Sequence, residues 1–171
     1  MTENLTVSKL RARFPEAITS VTEFRDEITV SVKREAIVPV CQFLRDDPDL
    51  AYSFLVDLTS VDYLEYPQKE ARFAVVYLLH SYKNNERIRL KVWVEENDAV
   101  VPTVTGVWSG ANWLEREVYD MMGITFAGHP DMRRILLTED WVDHPQRKDF
   151  PVFGKQDPVV RIKGFEENFD K

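Results

Sequence analysis

Apolar residues along the chain recur at two spacings, which divide it into helices, strands and one long stretch with neither. Within Leu5–Phe14, Val7, Leu10 and Phe14 fall three and four apart, as on one face of a short helix, and Pro15 ends it. Strand-like runs follow at Ala17–Glu23 and Glu27–Lys33. In the second, Ile28, Val30 and Val32 alternate with polar residues, the pattern of a half-buried strand. Glu35–Arg45 returns to helical spacing, with Ile37, Val40, Phe43 and Leu44 on one side. Its Pro39 is tolerable only in a first turn, so the start of this helix is open by one turn. Asp46-Asp47-Pro48 supplies the stop.

Phe54–Tyr63 reads as a further strand. Arg72–Tyr82 and Arg87–Val94 read as a hairpin joined through Lys83-Asn84-Asn85-Glu86. In its second arm Ile88, Leu90, Val92 and Val94 alternate with Arg87, Arg89, Lys91 and Trp93, which predicts one buried and one charged sheet face. A turn at Asn97-Asp98 precedes Pro102–Val107. The next helix has Ser109 as its expected N-cap, a stripe of Ala111, Leu114, Val118 and Met121 or Met122, and Gly123 as C′ residue. Glu115, Arg116 and Asp120 are expected on its outer side. Beyond Gly123, Gly128, Pro130, Pro145, Pro151, Gly154 and Pro158 interrupt any regular element. The prediction is α+β: a single two-layer domain, its mostly antiparallel or mixed sheet packed by helices. This core spans 1–125, and 126–171 forms an extended irregular C-terminal segment. A stretch this long without elements wraps its own core or another surface.

Composition narrows the classes. A chain of 171 residues with 44% hydrophobic content supports one independent core. A net charge of −7 disfavours nucleic acid as a partner, whose binders are basic. No apolar run approaches the ~20 residues of a membrane span, and no signal-peptide core is seen at the N-terminus. The single cysteine, Cys41, excludes an internal disulfide and a Cys-ligated cluster built by this chain alone. It reads as a buried packing thiol in a protein of a reducing compartment. The glycines form no phosphate-binding loop.

Candidate chemistry concentrates in Asn112–Pro151, whose 40 residues hold eight acids and five bases. Arg116 and Asp120, four apart, read as a helix ion pair before they read as catalysts. No nucleophile–base spacing accompanies Glu115, Glu117 or Asp120, so acid–base catalysis is disfavoured. His129 and His144 share a His-Pro setting but lack close ligand spacing. Hydrogen bonds to local backbone are preferred to a metal site. Interleaved charges with Trp141, Phe150, Phe153, Phe165 and Phe169 suit a protein-binding surface. The residues therefore favour an interaction subunit over an enzyme. A free-standing enzyme would instead place a closed polar pocket near Glu117 and His129.

The run from Glu115 to Ile124, followed by Gly128 to Leu136, resembles the signature of the thirty-kilodalton subunit family of respiratory complex I. It holds a Glu-Arg-Glu triplet, an acid three positions on, two apolar residues, a six-residue gap, His129, and the basic pair Arg133-Arg134 before Ile135. The likeness continues through Glu139-Asp140-Trp141 and from His144 to Pro151. There Gln146 and Phe150 stand where the family has Leu and Tyr. Asn112-Trp113 and the Leu58–Asp62 stretch also fit.

The resemblance implies a subunit of the hydrophilic arm of NADH-quinone oxidoreductase with no catalytic, cofactor or metal-binding residue. Flavin, iron–sulfur clusters and quinone would lie on partner subunits. It would brace the large quinone-site subunit beside the iron–sulfur subunits, with its C-terminal segment wrapping them. Membrane contact would come only through these partners, at the cytoplasmic face of the bacterial inner membrane. The interface residues so implied are Glu115, Arg116, Glu117, Asp120, His129, Arg133, Arg134, Trp141, His144, Arg147 and Lys148. A ferredoxin-fed photosynthetic relative or a membrane-bound hydrogenase uses an equivalent subunit.

Overall fold

The computed structural model describes residues 4–67 and 69–151. Helix α1, Leu5–Arg13, is capped by Asn4, whose side-chain oxygen accepts the N–H groups of Thr6 at 2.9 Å and Val7 at 3.3 Å. Its Val7 and Leu10 enter the core, and Phe14 meets Phe43 edge to face at 5.6 Å. Helix α2, Ile37–Asp46, follows a single 3₁₀ turn at Arg34–Ala36. Pro39 thus lies in the first turn of α2, where its missing N–H would have no partner in the helix.

Strands β1 (Ile18–Phe24), β2 (Glu27–Val32), β3 (Phe54–Asp62), β4 (Phe73–Ser81) and β5 (Glu86–Val94) form one sheet in the order β1-β2-β5-β4-β3. All pairs are antiparallel except β2 on β5, which runs parallel at Thr29↔Arg89 and Val30↔Leu90. The sheet is therefore mixed. Phe73, Val75, Tyr77 and Leu79 on β4 register with Val94, Val92, Leu90 and Ile88 on β5, and all eight are buried with α1 and α2 in one core. Their neighbours Ala74 and Val76 are buried too but lie outside that core cluster. Tyr63, Lys91 and Trp93 gather on that other face, with no helix above them among the described residues.

Helix α3, Ala111–Met122, packs against β3. Two short parallel strands, β6 (Val100–Pro102) and β7 (Thr125–Ala127), flank it in sequence. Beyond Pro102 the Thr103 N–H still donates to Ala127, and the chain then turns, with Val107 and Trp108 both donating to the Val104 carbonyl. Tight turns also lead into α3. Gly110, not Ser109, is the N-cap, without a side-chain cap, because Ala111 and Asn112 donate to the carbonyls of Trp108 and Ser109. The 125/126 boundary drawn from the sequence lies within β7. From Gly128 to Pro151 no helix or strand forms, and the chain runs as a strap over its own domain.

Candidate functional site

The strap is held by α3. The last turn of a helix leaves carbonyls without donors, and here nearly every one is met from outside. Gly123, at φ +75°, donates to Tyr119. The Asp120 carbonyl accepts Arg134 Nη1 at 3.1 Å and His144 Nδ1 at 3.0 Å. Gln146 N–H reaches Met121 at 3.1 Å, and Arg147 Nε reaches Met122 at 2.7 Å. Two arginines thus sit where the helix dipole is negative. The Gly123 position is covered by the His144 ring and the Arg147 guanidinium, leaving no space for a Cβ.

Asp120 is the centre of the arrangement. Its fully buried carboxylate takes Arg134 Nη1 at 2.7 Å on one oxygen, and the N–H groups of Ile135, Leu136 and Leu137 on the other. Burial alone would raise its pKa. These backbone donors and the guanidinium outweigh burial and hold it below the usual carboxylate value. Arg116 does not pair with Asp120 as their spacing suggests. Its guanidinium donates to the strap carbonyls of Arg133 at 2.9 Å and Arg134 at 3.2 Å, and lies 5.1 Å from the Trp113 ring. Glu115, Arg116 and Asp120 therefore face inward rather than outward, because the strap and the β6 loop cover that side of α3.

Glu115 is also wholly buried and accepts Thr103 Oγ1 and the Val104 N–H at 2.8 Å. Burial pushes its pKa up to about 7 against those hydrogen bonds. His129 is enclosed, with Nε2 3.9 Å from Glu115. Its Nδ1 accepts the Asp131 N–H at 3.0 Å, which leaves Nε2 to donate to the Asn112 carbonyl at 3.1 Å. His129 therefore grips the first turn of α3 and His144 the last. Asn112 and Asp120 are about 12 Å apart along the axis, too far for one ion. His129 has one local backbone partner, Asp131, and both rings reach across to α3. Burial lowers the pKa of His144, with Arg147 and Arg134 acting in the same sense.

The far end of the strap is locked on β3 and β4. Arg72 pairs with Asp62 at 3.0 Å, with Asp149 at 2.6 Å and with Glu96, while the Lys148 N–H donates to Asp62 at 2.9 Å. Arg72 and Asp62 were not singled out by the sequence. Their only signal is phase: Asp62 follows Leu58 on the core side of β3, where an ion needs a partner. The other signature residues are dispersed. Glu117 is exposed, Arg133 is exposed and bonded to Asp131, Lys148 Nζ lies 3.7 Å from Glu65, and the buried Trp141 indole nitrogen has no partner among the described residues. Phe153, Phe165 and Phe169 lie outside the described residues. Among the described residues no group of three metal-ligating side chains forms.

The chain has relatives in respiratory complexes. Residues 30–156 match the family described as the 30 Kd subunit of respiratory-chain NADH dehydrogenase, and the chain belongs to that family. Its relatives include the C subunit of NADH-quinone oxidoreductase from Geobacter metallireducens, 54% identical over 88% of this chain and 91% of that one. Its counterpart in Roseiflexus sp. is 52% identical over 88% and 85%. Among solved structures, the trypsin-resistant fragment of Nqo5 is 35% identical with a TM-score of 0.62, covering 74% of this chain and 99% of the fragment. A chain of the membrane-bound sulfane sulfur reductase, an archaeal respiratory membrane complex, is 25% identical with a TM-score of 0.68, covering 85% and 84%.

Proposed function

We propose that the chain serves as the thirty-kilodalton subunit of a proton-pumping NADH-quinone oxidoreductase, bracing its peripheral arm without a catalytic group of its own. The observation that carries this is the construction of the strap. Buried charges of α3 and β3 clamp its inner side, while Leu136 and Val142 on the strap and Trp113 on α3 remain 60%, 62% and 63% exposed. Large apolar side chains held on a fixed, irregular backbone suit a permanent protein neighbour. The neighbour in this reading is the large quinone-site subunit, flanked by iron–sulfur subunits; residues 152–171, the end of the segment expected to wrap these partners, lie outside the described residues. Flavin, clusters and quinone belong to those partners, and electron transfer coupled to proton translocation belongs to the whole complex. Among the described residues no helix is long and apolar enough to cross a membrane. In this reading attachment at the cytoplasmic face of the inner membrane runs through the partners.

Arg134 tests the reading, because it ties the strap to Asp120 and to the Asp143 carbonyl. Arg134→Ala is expected to lower the amount of assembled complex on native gels several-fold, with turnover per assembled complex near wild type. Full assembly with lost turnover would overturn the bracing role. The likeness to the sulfane sulfur reductase chain favours a second reading, an equivalent subunit in a related membrane complex. Purifying membranes through this chain separates the two: recovery of a flavin-bearing NADH-oxidising subunit supports the first.

A further inference from the structure

The two buried carboxylates of α3 are built differently. Asp120 receives a guanidinium and three amides. Glu115 receives only neutral donors, Thr103 Oγ1 at 2.5 Å and the Val104 N–H at 2.8 Å. The groups that face it from other elements bring no cation. The Cys41 thiol of α2 and the Tyr77 hydroxyl of β4 are both buried, and ionising either would only add negative charge. Arg116, beside it on α3, is committed to the strap carbonyls, and Asp131 on the strap is bonded to Arg133. What remains is the enclosed His129 ring, whose Nε2 lies 3.9 Å from Glu115 Oε2 and 3.1 Å from the Asn112 carbonyl.

The hydrogen bonds around Glu115 fit either state of charge. When protonated it donates to Thr103 Oγ1, and that hydroxyl turns its own hydrogen to Thr105 Oγ1 at 3.0 Å. When ionised it accepts from Thr103, which then accepts from the Thr105 hydroxyl. The Thr105 N–H donates to Thr103 Oγ1 in both states. Thr105 is half-buried, so the hydroxyl chain leads a proton from the interior towards solvent. Burial sets the exchange near neutrality, at about pH 7. Ionisation, however, leaves a buried charge without a counter-ion, which is costly. Among the described residues the donor placed to turn towards it is the His129 Nε2–H, now spent on Asn112.

We propose that Glu115 is a proton-operated latch at the start of the strap: loss of its proton draws the His129 Nε2–H off the Asn112 carbonyl and onto the carboxylate. The Asp131 N–H stays on Nδ1 and serves as the pivot. Asn112 lies in the first turn of α3, so the strap exchanges its first hold on the helix backbone for a hold on a buried acid. The Asp120 clamp, kept ionised by its donors across this range, does not respond.

The test follows labelled Glu115, His129 and Asn112 by 13C and 15N NMR in the full chain, between about pH 5 and about pH 8.5. As the Glu115 carboxyl carbon titrates near pH 7, the His129 Nε2 proton is expected to move downfield and the Asn112 carbonyl carbon upfield, all with one midpoint. In Glu115→Gln the His129 and Asn112 signals should hold still over the same range. His129→Phe removes the donor that the ionised acid would take, so the Glu115 midpoint should rise by about one pH unit, a tenfold tighter hold on the proton. If a variant fails to fold, the titration of the parent chain decides. A Glu115 carbon that titrates at the ordinary carboxylate value or stays protonated throughout, ring and carbonyl signals that stay fixed while it titrates, or a midpoint unmoved in His129→Phe would each overturn the inference.

Discussion

Four donors converge on the Asp120 carboxylate, and three are consecutive backbone N–H groups of the strap. Removing the carboxylate leaves those N–H groups and the Arg134 guanidinium without their acceptor, a loss of about 3–5 kcal/mol for a buried pair broken on one side. Asp120→Ala is therefore expected to lower the urea midpoint strongly and to expose Arg133-Arg134 to trypsin, whereas a surface control such as Glu117→Ala should do neither. The identity of these residues was legible in the sequence and their partners were not. A spacing of four between Arg116 and Asp120 fits a helix pair, yet both side chains find better donors and acceptors on a segment 14 to 18 residues away. Sequence spacing ranks partners within one element and is blind to a strap that brings a whole row of amides.

At the level of the element, the strap owes its order to α3. It makes no helix or strand, so its own backbone groups need partners, and the open carbonyl end of α3 needs donors. Each supplies the other. Gly123 is the point where they touch most closely, because its left-handed φ ends the helix and its missing side chain admits the His144 ring. In Gly123→Ala the new methyl would also fall 2.6 Å from Arg147 Nη2. Left-handed strain of about 1–3 kcal/mol adds to the displaced contacts. The expected result is a lower melting temperature together with faster amide exchange over residues 144–147. The glycine as a helix end was readable from the sequence, as were the strands of the hairpin. What could not be read was which of the two surfaces, its own core or another, the proline- and glycine-punctuated chain would cover.

Across the whole molecule, buried acids of opposite behaviour shape its response to pH. Asp120, held below its ordinary value, contributes stability that is present above about pH 4 and lost as pH falls through its depressed pKa. Glu115 has the other sign. Its folded value of about 7 lies above the ordinary 4.5, so the unfolded chain releases this proton first and stability declines as pH rises from about 4.5 to about 7. His144, lowered by burial, partly offsets that decline by favouring the folded state as pH rises towards 6.5. Glu115→Gln keeps an acceptor for the Val104 N–H and removes the titration. Relative to the parent chain it should gain about 3 kcal/mol between pH 4.5 and pH 7, read from denaturant curves at several pH values.

The parallel seam between β2 and β5 also sets a schedule for synthesis. Thr29 and Arg89 touch across 60 residues of intervening chain. At about 5–20 residues per second, the β1–β2 hairpin waits roughly 3–12 s on the ribosome for the strand that completes it. During that interval Val30 and Val32 have no sheet neighbour beyond β1, and the part of their core that β5 supplies is not yet made. A nascent chain stalled before residue 89 is therefore the form of this protein that most needs a chaperone.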